Sequence, residues 1–77
     1  MKFTQMLETI KLIEQERLKN GIRPVSASLI AILSRVGYDD IQSTKRQLNE
    51  LIKQGKLFFY IDKDQRPHFY TNPENLY

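Results

Sequence analysis

Cysteine and tryptophan are absent from these 77 residues, histidine occurs once, and glycine and proline occur three times each. Without cysteine, disulfide staples and thiolate metal sites are excluded, a usage at home in a reducing compartment, so the cytoplasm is the expected location. No apolar run approaches the roughly 20 residues that a bilayer crossing needs. The opening stretch MKFTQMLETIK carries Glu8 and no small-residue cleavage site, so neither membrane anchorage nor export by signal peptide is expected. With so little glycine and proline, and with 40% hydrophobic and 27% charged residues, the chain is expected to fold rather than remain disordered. Its length predicts one domain over 1–77, near the size at which a single core only just suffices and a second subunit helps.

Chemistry-bearing patterns are equally scarce. His68 stands beside Pro67 with no serine or cysteine nucleophile paired to it by any local signature, so an enzyme is not expected. Asp62 and Asp64 in the segment DKDQ lack the glycine and the terminal glutamate of a calcium loop, and a turn explains them better. There is no glycine-rich phosphate loop and no zinc spacing, so neither cofactor nor metal is expected.

What the chain does have is periodicity. Phe3, Met6, Leu7, Ile10, Ile13 and Leu18 share one stripe at helical spacing, which predicts a first helix over 4–20, capped by Thr4 and stopped by Gly21. Leu12 falls on the opposite face, exposed. Pro24 biases Arg23 toward extended backbone, so the next few residues read as a link. A second helix over 27–36, capped by Ser26 or Ser28, carries Leu29, Ile30, Ile32, Leu33 and Val36 around more than half its circumference, as a central core helix would. Asp39 with Gln42 forms a capping-box pattern for a third helix over 40–54, stopped by Gly55. Its stripe is Ile41, Thr44, Leu48, Leu51 and Ile52, leaving Gln42, Ser43, Arg46, Gln47, Asn49, Glu50 and Lys53 outward. Two β-branched and aromatic runs around DKDQ then predict a hairpin over 56–71, followed by a loose tail over 72–77 in which Leu76 and Tyr77 could dock.

The charge is concentrated in the same region. Between Ile41 and Lys56 four basic residues, Lys45, Arg46, Lys53 and Lys56, face the single Glu50, giving the +3 of the entire chain. A basic helix ahead of a hairpin suits duplex DNA, because phosphate neutralisation supplies most non-specific affinity.

The chain resembles the amino-terminal winged-helix domain of LexA-type bacterial repressors over roughly residues 7–61. The likeness runs through KLI at 11–13, the GIRPVSAS segment, the VGY turn at 36–38, and the placing of Leu48, Leu51, Gly55 and Leu57 after Gly37. It implies an α+β winged helix-turn-helix, αααββ, whose third helix enters the major groove as a transcriptional regulator does. Asp40, Gln42, Ser43, Lys45 and Arg46 then occupy the positions resembling the family's base-contacting ones. Gln42 and Gln47 suit adenine and Arg46 suits guanine. Lys53, Lys56 and Arg35 would hold phosphates. The sequence departs from the family at Leu33, where a small alanine is preferred, and in a shorter, more aromatic hairpin. The likeness stops short of the protease domain of those repressors, so their self-cleaving regulation is not implied.

The hairpin carries the alternative. Six of the eight aromatics lie in the last 20 residues, and strand alternation can aim only one face at a core. If Leu57, Phe59 and Ile61 point inward, Phe58 and Tyr60 point out, where with Leu12 they would form a homodimer or protein-partner interface, or a stacking platform for single strands. The competing functions are thus a DNA-binding protein, itself expected to dimerise because one small module buries little DNA surface, and a protein-interaction module that has the fold without the groove chemistry.

Overall fold

A computed structural model of the chain describes residues 3–76, with side chains from Gln5 to Glu74. It is a small α+β domain in the order α1 (Phe3–Lys19), β1 (Ala27–Ser28), α2 (Leu29–Val36), α3 (Ile41–Lys53), β2 (Phe58–Ile61), β3 (Pro67–Tyr70) and a 3-10 turn (Pro73–Leu76). The strands form one antiparallel sheet ordered β1-β3-β2. Ala27 pairs with Phe69 and Ser28 with His68, while Phe58 to Ile61 pair with Tyr70 back to Pro67.

α1 begins at Phe3, so Thr4 lies within its first turn instead of capping it. Met6, Ile10 and Ile13 are buried, but the buried line continues through Glu14, 3% exposed, and passes Leu18, 45% exposed. Leu18 sits too far around the helix to reach the core that Met6 and Ile10 define. At its end the Gly21 N–H donates to Leu18 O and the Ile22 N–H to Arg17 O, with Gly21 at φ +68°. α3 ends the same way: Gly55 N–H donates to Ile52 O and Lys56 N–H to Leu51 O, with Gly55 at φ +75°. Both glycines thus sit in the left-handed position of a Schellman cap, which a residue with a Cβ resists.

The expected second helix is two residues too long at its start, because Ala27 and Ser28 are drawn into the sheet beside β3. Of the two candidate caps it is Ser28 that serves, its Oγ accepting from the Ala31 N–H at 3.1 Å; Ser26 is fully buried in the approach to β1. Ile32 and Leu33 of α2 are buried, whereas Ile30 is 61% exposed, since an eight-residue helix lying against α1 and the sheet covers only one of its sides. α3 starts one residue later than expected and is capped by Asp40, whose Oδ1 accepts from the Ser43 N–H at 2.9 Å. The cap is therefore not the Asp39–Gln42 box.

The core joins Met6, Ile10 and Ile13 of α1 with Ala27, Ile32, Leu48, Leu51, Leu57 and Phe69. Glu14 ties α1 to the end of β3: one carboxylate oxygen accepts from both the N–H and the hydroxyl of Thr71, at 3.1 and 2.7 Å. In place of a loose tail, Pro73–Leu76 form a 3-10 turn, with Asn72 Oδ1 accepting from the Glu74 N–H. The expected docking of Leu76 and Tyr77 falls outside the described side chains.

Candidate nucleic-acid interface

Burying Thr44, Leu48 and Leu51 fixes how α3 is rotated, and the opposite side becomes a polar ridge. Gln42, Lys45, Arg46, Asn49, Glu50 and Lys53 are all exposed, and Lys56 is exposed just beyond the Gly55 stop. Asp40 does not belong to that ridge as a free charge, because its carboxylate is turned back onto the first turn of the helix. Ser43 gives its backbone N–H to this cap and is half-buried.

Gln47, expected to point outward, turns toward α2. It is half-buried in a small cavity lined by Val36, Gly37, Asp39, Asp40, Ser43 and Thr44, with its Oε1 buried and without a hydrogen-bond partner. Its place on the helix lies nearer to Thr44 and Leu51 than to Arg46, and that decides the matter. Arg35, an expected phosphate contact, is ion-paired with Glu16 of α1.

The hairpin departs further from expectation. On one sheet face Phe58 stacks on Tyr70, with ring centroids 5.6 Å apart, and Tyr60 stacks on His68 at 4.9 Å. Tyr60 also packs at a tilt on Tyr70 and shares a 3.1 Å hydrogen bond with the hydroxyl of Ser26. Tyr60 is thus half-buried and engaged, not an outward-facing aromatic awaiting a partner. Phe58 remains 38% exposed.

His68 Nε2 lies 2.8 Å from Asp62 Oδ2, while Asp62 Oδ1 accepts the backbone N–H groups of Asp64 and Arg66. A carboxylate can only accept, so Nε2 carries the shared proton, while Nδ1 is buried without a hydrogen-bond partner. The bond from His68, followed by those from the Arg66 and Asp64 amides, holds the Asp62 carboxyl below the usual carboxylate range. These residues build the turn. Among the described residues no group of three or more His, Asp or Glu could hold a metal ion.

On the other sheet face Leu57 and Phe69 are buried, but Phe59 is 50% and Ile61 49% exposed. They border a groove of about 210 Å³ whose other walls are Leu29, Lys45, Leu48, Asn49 and Ile52. This face points toward α3 as alternation predicts, yet the helix covers it incompletely. The expected exposed pair was Phe58 and Tyr60; Phe58 is exposed as expected, Tyr60 is not, and Phe59 and Ile61, expected inward, are the more exposed of the strand. Leu12, 53% exposed, lies on α1 among Glu8, Lys11 and Gln15.

Asn49, expected to face outward but given no role, stands exposed on the ridge beside Arg46. Glu14 was not anticipated. Glu14 carries the contact between α1 and Thr71, and its place four residues after Ile10 and eight after Met6 was the available signal. No helix among the described residues is long and apolar enough to cross a membrane. No protein-family model, no curated protein and no solved structure matches this chain.

Proposed function

We propose that the chain is a winged helix-turn-helix protein that binds duplex DNA, with α3 as the recognition helix and the β2–β3 hairpin as the wing, and that it serves as a transcriptional regulator. The observation that carries this reading is the ridge of α3. Gln42, Arg46 and Asn49 offer base-edge hydrogen bonding, and Lys45, Lys53 and Lys56 flank them with positive charge. Arg46 is suited to bidentate contact with guanine, and Gln42 and Asn49 to adenine. The order of elements supports the reading, since a short strand leads into α2 and the hairpin follows α3 directly.

In this account the module acts by binding, without catalysis or cofactor. The lysines neutralise phosphates and set the register of the helix on the duplex, and the ridge reads bases. Gln47 supports α3 from behind instead of reading sequence. The test is direct: Arg46→Ala and Lys45→Ala should weaken binding to a duplex while leaving the fold and self-association unchanged. Retention of full DNA affinity by both variants would sink the site assignment.

A second reading, a protein-interaction module acting through the hairpin, is favoured by the exposed Phe59 and Ile61 beside the groove. It differs in predicting no loss of function from Arg46→Ala.

A further inference from the structure

β2 has β3 on one side and no strand on the other among the described residues. The Asp62 N–H donates to Arg66 O. In an antiparallel ladder this parity bonds Asp62, Tyr60 and Phe58 to β3 and turns the N–H and C=O groups of Phe59 and Ile61 toward the open edge. Pro67, opposite Ile61, sits where the ladder asks no donor of it. Proteins usually guard such an edge with proline, a bulge or an inserted charge. The run from Phe58 to Ile61 has no proline and no charge, pairs with β3 without a bulge, and holds three side chains that are more than a third exposed.

We infer that two copies of this chain pair antiparallel through this edge, about a two-fold axis at Phe59, into one six-stranded sheet ordered β1-β3-β2-β2-β3-β1. Self-pairing is favoured over capture of an unrelated strand because the edge is complementary to itself. Centring on Phe59 sets Phe58 opposite the partner's Tyr60 within the strand and Lys56, just ahead of it, opposite the partner's Asp62, joining aromatic to aromatic and cation to anion. A slip by one residue would place Lys56 against Lys63 and set outward amides against inward ones. The two Phe59 rings then lie side by side, and the two apolar grooves become continuous across the axis. Assembly stops at two copies, because the opposite edge of the sheet, β1, is only two residues long.

This pairing does not rest on DNA binding, and its test contains no DNA. The protein, with Ile61→Pro and single-cysteine variants, is compared by sedimentation over micromolar concentrations. The parent should be a dimer. Ile61→Pro deletes an outward N–H in each copy while sparing the bonds to β3, and should raise the dimer dissociation constant about 30-fold, as expected for two lost ladder bonds. Because the chain has no cysteine of its own, Phe59→Cys reports the register without disturbing the ladder. It should form an intermolecular disulfide on mild oxidation, since directly opposed bonded residues sit about 5.5 Å apart, within disulfide reach. Leu12→Cys, on α1, should not. A monomeric parent, or a dimer trapped through Leu12 but not through Phe59, would overturn the inference.

Discussion

Tyr60 and His68 lie face to face across the β2–β3 ladder, their ring planes 9° apart. Each passes the contact on: the Tyr60 hydroxyl meets Ser26 ahead of β1, and His68 Nε2 meets Asp62 in the turn. One outer sheet face is thereby partly covered by its own aromatic side chains, and the greater exposure falls to Phe59 and Ile61 on the other. That distribution moves the expected association surface from an outward aromatic pair to a strand edge.

The turn should be acid-sensitive. A carboxyl held below its ordinary value of about 3.9 contributes stability that is present above that value and lost as pH falls through its lowered native value. Thermal melts of the parent between pH 7 and pH 2 should therefore show an acid-side loss that is smaller in Asp62→Asn, itself less stable at pH 7. Identical pH dependence in the two proteins would remove Asp62 from this role.

Glu14 should be among the most sensitive polar positions. Replacing it with alanine leaves the Thr71 N–H and hydroxyl without their acceptor, at a cost of about 2 kcal/mol. For a domain of this size that lowers Tm by roughly 10 °C. Glu14→Gln keeps an oxygen acceptor and should lose clearly less. Calorimetry on the two variants checks the order.

Gly55 separates backbone conformation from packing. A Cβ built there meets nothing within 4 Å, yet the residue sits at φ +75°, so Gly55→Ala should cost about 1 kcal/mol through the left-handed conformation alone. Gly55→Asn, better suited to that region, should cost less. Denaturant titration with unchanged m values would show that only stability has moved.

On the ridge of α3, Arg46→Ala should change stability by no more than about 0.5 kcal/mol, as exposed substitutions do. It should also relax base preference at one position of a bound site, at about 1–3 kcal/mol of discrimination. Lys53→Ala should weaken all duplexes alike and reduce the salt slope by about 1. Competition binding against single-base variants of a selected site separates the two behaviours.

The helices were legible because apolar residues recur at helical spacing and because Gly21 and Gly55 are stop signals that work through backbone conformation. Most of the buried faces of α1 and α3 was legible for the same reason, as was the ridge holding Gln42, Arg46 and Lys53. Leu18 and Ile41, at the helix ends and expected in those stripes, are nevertheless 45% and 38% exposed because little packs over a terminal turn. β1 was not, since a strand of two residues has no period and exists only because β3 lies beside it. The buried Glu14 was hidden by a composition rule that sends carboxylates to the surface, which its partner 57 residues away overrides. Alternation separated the two faces of β2 correctly but could not say how far α3 covers one, nor that Tyr60 is held by Ser26. At Gln47 the error was one of angle: a polar residue on the shoulder of a buried stripe turned inward.

The central claim is that the α3 ridge binds duplex DNA, and the most direct measurement is a titration of the purified protein with a mixed-sequence duplex at about 50 and 200 mM salt. If Lys45, Lys53 and Lys56 each neutralise one phosphate, the log–log salt slope is about −2.7 and affinity falls about 40-fold over that range. Absence of binding at the lower salt, or binding indifferent to salt, would contradict the account.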